Sequence, residues 1–270
     1  MVRSHFLTIQ DYYTKNSPSA ILRIASKYFY RIMCAPLYDP EQNSANRMGA
    51  AMQGYRYDST YEELAVLNDG TMVRLRLVRP SDADLLVEGF EHLSEESRQQ
   101  RFLSAKSRLT PKEIKYLTHV DGEHHLAIAA LTRNGEHGLG VARFIRLDEP
   151  PDTADVAITV IDEAQHKGLG YLLLMRLFEA GRERNVAAFH FDVMADNRPM
   201  LALLHSLAPG VTEHITSGIA TIEIPLDRVA RLDRVAQHGA STAAYNRMAR
   251  GRMTMQSMRT RPFLRHASQN

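Results

Sequence analysis

A short turn near the middle of the chain joins a strand-like segment to a helix-like segment. The strand pattern covers residues 154–161, the helical pattern covers 171–184, and the turn between them contains Gln165-His166-Lys167-Gly168-Leu169-Gly170. Its two glycines lack a Cβ atom, so a bound group can approach the backbone closely. A helix that begins there also offers free N–H groups and partial positive charge. The turn therefore predicts a phosphate-binding site.

The glycine spacing separates this turn from two common phosphate-binding motifs. The pattern is Gln-x-x-Gly-x-Gly, whereas a P-loop ends in Gly-Lys-Ser/Thr and a dinucleotide-binding turn has Gly-x-Gly-x-x-Gly. Both of those nucleotide-binding classes are therefore excluded for this turn. An ordinary strand-to-helix connection is the alternative interpretation.

The segment around the turn contains more predicted strands than helices. Alternating apolar residues predict strands, and apolar residues spaced by three or four predict helices. Strands are predicted from residue 71 and over 125–132, 139–147, 154–161, 188–194 and a hairpin at 211–226. Helices are predicted over 82–93, 111–118, 171–184 and 199–207, and a further short helix is predicted to begin after Ser94. Ser94 and Thr110 are the predicted N-caps of the short helix and of helix 111–118. This order predicts a mixed α/β sheet with helices on both faces.

Several short segments resemble the GNAT acyltransferases, whose signature Gln/Arg-x-x-Gly-x-Gly/Ala follows the fourth strand. The segments that look like the GNAT domain of bacterial protein lysine acetyltransferases are Leu93–Arg98, Arg101-Phe102, Leu109-Thr110, Gly140–Phe144, Ala154–Ala157 and Asn197–Leu201. The resemblance covers about residues 69–227. It implies the GNAT fold, an α/β fold with a mixed, mostly antiparallel central sheet. In that fold the fourth and fifth strands splay apart, and helices cover both faces.

The resemblance also implies acetyl-CoA as the co-substrate. In this family the pantetheine arm lies between the two splayed strands, and the pyrophosphate lies on the glycine turn. Gln165 is expected to orient the turn through side-chain hydrogen bonds. The residues implied in coenzyme binding are Val160, Ile161, Gln165, His166, Lys167, Gly168, Leu169, Gly170 and Asn197.

Acetyl transfer to an amine requires that the amine lose a proton. A lysine amine has an unperturbed pKa near 10.4, so a nearby carboxylate must accept that proton at neutral pH. Asp155 lies at the start of the fourth predicted strand, where related lysine acetyltransferases usually carry glutamate. We therefore expect Asp155 to be the base. In the alternative, Asp155 has a structural role, and the base is a water chain or another carboxylate such as Asp162 or Glu163.

The leaving thiolate also needs a proton. Many family members place a tyrosine seven residues after the motif asparagine, but this chain has Leu204 seven residues after Asn197. His205 or water is the expected donor. Asn197 can also cap the helix predicted at 199–207. No metal is predicted, because the adjacent histidines at 124 and 125 would point to opposite sides of a strand.

The two ends of the chain differ from the central segment. Residues 1–68 are predicted to form a helical and linker extension, with an amphipathic helix at 19–33 and a polar linker at 39–58. That helix is expected to pack on the catalytic domain or on a second subunit, and a membrane-surface role is the alternative. Residues 228–270 form an arginine-rich tail. It is expected to be solvated or to contact a second subunit, with nucleic-acid binding as the alternative.

Composition limits the class of protein only weakly. The net charge of +2 by itself implies no partner, and one cysteine, Cys34, excludes an internal disulfide and a cysteine-based zinc site. Cysteine poverty and the lack of a long apolar run favour a cytoplasmic protein without a membrane span. The resemblance to the GNAT family implies an N-acetyltransferase that uses acetyl-CoA and acetylates a protein lysine or a small-molecule amine. The alternatives are a non-catalytic acyl-CoA sensor and a nucleic-acid-associated protein.

Overall fold

The computed structural model describes residues 54–230 of the 270-residue chain. The predicted helix at 19–33, most of the polar linker and residues 231–270 of the tail lie outside this part. The described strands are β1 (Glu62–Val66), β2 (Met72–Leu77), β3 (His125–Thr132), β4 (Gly138–Arg146), β5 (Thr153–Val160), β6 (Ala188–Met194), β7 (Glu213–Thr216) and β8 (Ile219–Pro225). The described α-helices are α1 (Ala83–Glu91), α2 (Glu95–Phe102), α3 (Pro111–Thr118), α4 (Leu169–Glu183) and α5 (Arg198–Leu207).

These strands form one sheet in the order β1-β2-β3-β4-β5-β6-β8-β7. All neighbouring strands in the described part are antiparallel except β5 and β6, which are parallel. Parallel neighbours need a crossover connection, and α4 supplies it. The predicted fold class is confirmed: the sheet is mixed and mostly antiparallel.

The pairing between β5 and β6 is short. Thr153–Asp155 pair with Ala188–His190, although β5 continues to Val160 and β6 to Met194. Beyond Asp155 and His190 the two strands therefore separate. This separation is the predicted splay, and it leaves the inner edges of both strands without a neighbouring strand.

The long helix α4 covers one face of the sheet. Its fully buried side chains recur at helical spacing and include Leu173, Leu174, Leu177 and Phe178. Phe178 packs against Phe189 of β6 with ring centroids 5.3 Å apart, and Phe189 packs against Phe144 of β4 at 5.6 Å. This aromatic cluster fixes α4, and with it the turn that precedes α4, against the sheet.

The helix α3 lies against the opposite face. Successive strand residues point to opposite faces, so Arg143 points away from the α4 face that Phe144 occupies. Arg143 is buried, and its Nη1 donates a hydrogen bond to the Leu117 carbonyl of α3 at 3.0 Å. The predicted helices on both faces are therefore present.

The edge strand β1 adds to the sheet on the N-terminal side of the predicted domain boundary at residue 69. It pairs with β2 through a tight turn, in which the Leu67 N–H donates to Thr71 and the Gly70 N–H donates to Leu67. Glu63 of β1 also accepts two hydrogen bonds from Arg176 of α4, at 2.5 and 2.9 Å. The sheet therefore begins within the segment that the sequence assigned to the extension.

Candidate active site

The separation of β5 and β6 opens a cleft of about 300 Å³. Its walls come from both strands, from α2 and the loop after it, from α3 and from the start of α5. Four of the predicted site residues line it, namely Asp155, Val160, Gln165 and Asn197. The sheet therefore brings together side chains that lie up to 42 positions apart in the sequence, the difference between positions 155 and 197.

Asp155 lies at the point where the two strands separate. It is paired in register with His190 of β6, and its Oδ1 lies 2.9 Å from Nδ1 of that histidine. The hydrogen bond to Asp155 raises the pKa of His190 above its usual value, burial of the ring opposes this, and Asp192 and Glu223 add to the rise. His190 was not among the predicted site residues, because no sequence motif marks it. The only signal was its place in the strand next to the one that carries Asp155.

The backbone of β5 corrects one sequence prediction. The N–H of Ile161 donates to the Leu139 carbonyl of β4 at 3.0 Å. This N–H group therefore points toward β4 and away from the cleft, so it cannot pair with a pantetheine arm as predicted. Backbone groups alternate between the two sides of a strand. The backbone groups that face the cleft are therefore those of Val160 and Ile158 rather than those of Ile161.

Gln165 holds the turn to both β5 and α2. Its Nε2 donates to the Val160 carbonyl at 3.2 Å, to Asp162 Oδ1 at 3.2 Å and to Ser97 Oγ at 3.3 Å. Asp162 in turn accepts hydrogen bonds from Ser97 and from the Ser94 N–H. The predicted orienting role of Gln165 therefore has hydrogen bonds to support it, and the Asp162 carboxylate is engaged at the start of α2.

The turn itself adopts left-handed backbone conformations at His166, with φ of 59°, and at Gly168, with φ of 87°. Helix α4 begins at Leu169, no side chain caps its first turn, and the first helical hydrogen bond runs from the Leu172 N–H to the Gly168 carbonyl. The N–H groups of Leu169 and Gly170 are thus not used within the helix. These unused N–H groups lie at the end of α4 where the sequence predicts an anion-binding site.

The turn between β1 and β2 lies directly against this loop. The Asn68 N–H donates to the Lys167 carbonyl at 3.0 Å, and Lys167 Nζ forms a salt bridge with Asp69 Oδ2 at 3.2 Å. Sequence analysis missed Asn68 and Asp69, since they precede the glycine motif by about a hundred residues. Asn68 supports the loop through its backbone, and Asp69 binds the side chain of Lys167, which is one of the residues predicted to contact the coenzyme.

Asn197 and His205 have different surroundings. Asn197 caps α5 by accepting from the Met200 N–H at 3.1 Å, and its Nδ2 donates to Gln100 of α2 at 3.1 Å while the residue lines the cleft. His205 does not line the cleft, because it lies on another side of α5, where Nε2 is 3.4 Å from Glu213 of β7. Leu204 is fully buried. The structure therefore does not bring His205 to the place where a thiolate would leave.

The two adjacent histidines separate as alternation requires. His124 is largely exposed, whereas His125 is buried beside Arg143, and its pKa lies well below the usual value because of burial and the nearby cation. Residues 54–230 contain no cluster of three or more His, Cys, Asp or Glu that could hold a metal ion. In the same residues no helix is long and apolar enough to cross a membrane.

Comparison with known proteins places this geometry in a family. A family model described as the acetyltransferase (GNAT) family matches residues 87–208, which include the cleft and the glycine turn. The chain is 28% identical over 157 residues to the acetyltransferase Pat of Mycolicibacterium smegmatis, and the match covers 58% of this chain and 47% of Pat. It is 27% identical over 143 residues to an acetyltransferase of Pseudomonas aeruginosa, covering 52% of this chain and 76% of that protein. The chain thus spans about half the length of the mycobacterial relative.

A solved structure supports the same assignment. The GNAT domain of S. lividans PAT is 29% identical and superimposes with a TM-score of 0.58, covering 63% of this chain and 99% of that domain. The similarity therefore extends over a complete catalytic domain of known fold. The chain contains a domain of the GNAT acetyltransferase family, homologous to Pat of Mycolicibacterium smegmatis and to the GNAT domain of S. lividans PAT.

Proposed function

We propose that this chain transfers an acetyl group from acetyl-CoA to an amine, on a protein lysine or on a small molecule, by direct attack of the amine on the thioester. The observation that carries the proposal is the separation of β5 and β6 immediately beyond Asp155. It places a carboxylate at one end of an open slot, and the glycine turn follows the other end of β5. A thioester on a long phosphate-bearing arm matches that arrangement.

The coenzyme is proposed to lie along the inner edge of β5. The pantetheine amides would pair with the backbone groups of Ile158 and with the Val160 N–H, which have no strand neighbour on that side, whereas the Val160 carbonyl already accepts from Gln165. The pyrophosphate would accept hydrogen bonds from the N–H groups of Gly168, Leu169 and Gly170, where the α4 dipole favours negative charge. The side chains of His166 and Lys167 supply further donors, and Asn197 lies on the opposite wall.

In the proposed reaction, a proton is transferred from the acceptor amine before the acetyl group is transferred to it. The acceptor ammonium gives a proton to Asp155, and the neutral amine nitrogen then attacks the thioester carbonyl carbon. The new C–N bond forms as the C–S bond breaks; the nitrogen gives its second proton to water, and the coenzyme thiolate takes a proton from water. Water is the proposed donor because His205 does not line the cleft. A cytoplasmic setting and a lysine-bearing protein acceptor are parts of the same proposal. The first rests on cysteine poverty and the lack of a long apolar run, and the second rests on the sequence resemblance.

Thermal melting and thiol release test this function together. Acetyl-CoA at one hundred times its Kd should stabilise the protein by about 2.7 kcal/mol, or roughly 5–10 °C in Tm for a domain of this size. Free thiol should then accumulate with at least one member of a panel of lysine peptides, polyamines and small amines. Absence of a thermal shift would contradict coenzyme binding. A shift without thiol release from any amine would favour the non-catalytic acyl-CoA sensor.

The salt bridge between Lys167 and Asp69 predicts the effect of a single charge on coenzyme affinity. Both side chains are more than one third exposed, so the pair is weak, and Lys167 must exchange Asp69 for pyrophosphate on binding. Asp69→Asn should therefore lower the Kd for acetyl-CoA by about two- to fivefold, and more at low salt. Asparagine can keep the oxygen that accepts from the Thr71 N–H.

Calorimetric titration of acetyl-CoA measures this change. Glu62→Gln is the matched control, because it removes one exposed carboxylate from β1 without touching the glycine turn. The control should leave the Kd unchanged. An equal gain in both variants would indicate a general charge effect, and weaker binding in Asp69→Asn would mean that Asp69 supports the loop rather than competing for Lys167.

A further inference from the structure

The proposed base has a partner on the neighbouring strand. Asp155 and His190 are the last register pair before β5 and β6 separate, and their side chains meet at 2.9 Å. Asp155 lines the cleft, whereas His190 does not. The histidine therefore contacts the carboxylate without lining the space that substrate would occupy. Its side chain is 25% exposed, so it can still exchange protons with solvent.

Acidic groups surround His190 from three strands. Asp155 lies on β5, Asp192 lies two positions along β6 with its Oδ1 3.9 Å from Nε2, and Glu223 of β8 is paired with His190 in register. Asp192 also accepts a hydrogen bond from Thr221 at 2.6 Å, which fixes its oxygen near the ring. These carboxylates favour the doubly protonated ring, although partial burial opposes it.

The charge on His190 must affect the proton affinity of Asp155. A positive ring in contact with a carboxylate stabilises the ionised carboxylate and makes it a weaker base. A neutral ring with its proton on Nδ1 still donates to Asp155, so it keeps the carboxylate oriented without that penalty. Proton transfer to Asp155 therefore breaks an ion pair while His190 is charged, and breaks none once the ring is neutral.

We propose that His190 is a positioning residue for acetyl transfer: its Nδ1–H orients the Asp155 carboxylate, and loss of its other ring proton sets the lower end of the pH range in which Asp155 accepts the amine proton. The inference rests on the proposed function. It predicts that kcat/KM rises more steeply below the pKa of His190 than above it. A single ionising amine gives a slope of about 1 on a logarithmic plot, and two coupled groups give about 2.

Three histidine variants test this inference. His190→Asn keeps a donor near the Nδ1 position and cannot titrate, so its slope should stay near 1 throughout, with a rate within severalfold of wild type at pH 8.5. His190→Leu removes the donor as well and should lose about 10- to 100-fold at every pH, while acetyl-CoA binding persists. His214→Asn on exposed β7 is the matched control and should follow the wild-type profile. Melting curves establish whether each variant is folded. If His190→Leu is not folded, the pH profile of His190→Asn alone decides the question.

Nuclear magnetic resonance of the ring gives a readout that does not depend on turnover. The His190 ring should titrate above pH 6.5 in the wild type and at lower pH in Asp155→Asn, because the carboxylate charge that strengthens its hydrogen bond at position 155 is then removed. An unchanged ring titration in Asp155→Asn would overturn the coupling. A steep wild-type profile that His190→Asn retains would overturn the inference and leave the acetyltransferase proposal intact. Wild-type protein that binds acetyl-CoA but acetylates no amine would instead overturn the proposed function, and this inference with it.

Discussion

Asp155→Asn should lower turnover by about 10²–10⁴ at pH 7, the usual contribution of a general base. Asparagine has nearly the same shape and can still face His190, but it cannot accept a proton at neutral pH. Acetyl-CoA affinity should change little, since the coenzyme contacts proposed above lie farther along β5 and in the glycine turn. The loss should shrink as the pH approaches the amine pKa near 10.4, because the acceptor then deprotonates unaided. Thiol release at saturating acetyl-CoA, measured at pH 7 and at pH 9.5, checks both the size and the pH trend.

Two matched variants separate catalysis from structure. Asp155→Glu restores the residue usual in related lysine acetyltransferases and should retain most of the turnover. Asp162→Asn removes a nearby carboxylate that bonds Ser97 and the Ser94 N–H at the start of α2, so it should lower Tm rather than change the pH trend. A larger loss in Asp162→Asn, rescued at high pH, would assign the base to Asp162. Unchanged turnover in Asp155→Asn would assign Asp155 to structure.

Local patterns predicted the elements that carry their own signals. Ser94 and Thr110 were expected as helix caps, and both side chains accept hydrogen bonds from the third residue of the helix that follows. Strand β3 was predicted with its observed bounds, because its apolar run sits between polar turns. These features depend on residues within a few positions, so one sequence is enough to find them.

Features that depend on distant pairing were not predictable in the same way. Strand β1 is an exposed edge strand whose apolar side chains Leu64 and Val66 face outward, so its pattern does not distinguish it from a linker. His190 becomes the partner of Asp155 only when β6 pairs with β5 in one particular register. His205 was considered because it is adjacent to position 204, but the helical rotation between neighbours directs it toward Glu213 instead.

The same limit applies to the glycine turn. The sequence motif indicates that Gly168 lacks a Cβ atom because a Cβ would hold the backbone away from a phosphate. The structure adds two reasons, since Gly168 has a φ of 87° and a Cβ at this position would lie 2.6 Å from Asn68 Nδ2. The second reason could not be read from the sequence, because the turn that carries Asn68 reaches the loop only through the sheet. The left-handed backbone at Gly168 therefore favours glycine even without a ligand, and a Cβ there would also require the end of the Asn68 side chain to move.

Gly168→Val should abolish the stabilisation by acetyl-CoA. The left-handed backbone costs about 1–2 kcal/mol for a residue with a side chain, and the added atoms also meet the end of the Asn68 side chain, so we expect the backbone strain to move the loop from its present position. Losing two charge-assisted N–H contacts to pyrophosphate, at about 1.5–3 kcal/mol each, corresponds to an increase in Kd of about 10²–10⁴. The apo Tm should also fall, which the sequence alone did not predict. Melting curves with and without acetyl-CoA measure both effects.

Gly170→Ala provides the control within the same motif. A Cβ there would make only an ordinary contact of 3.4 Å with Leu203, and alanine is an accepted residue at this position of the family signature. This variant should bind acetyl-CoA with near wild-type affinity, because helix α4 has already begun at Leu169. The double variant Asn68→Ala/Gly168→Ala should recover part of the apo Tm lost in Gly168→Ala, since it removes the collision but not the backbone strain. Full acetyl-CoA stabilisation in Gly168→Val would mean that the pyrophosphate does not bind at the turn. Equal losses in Gly168→Ala and Gly170→Ala would mean that Cβ atoms obstruct the ligand directly and that support from Asn68 is not the cause.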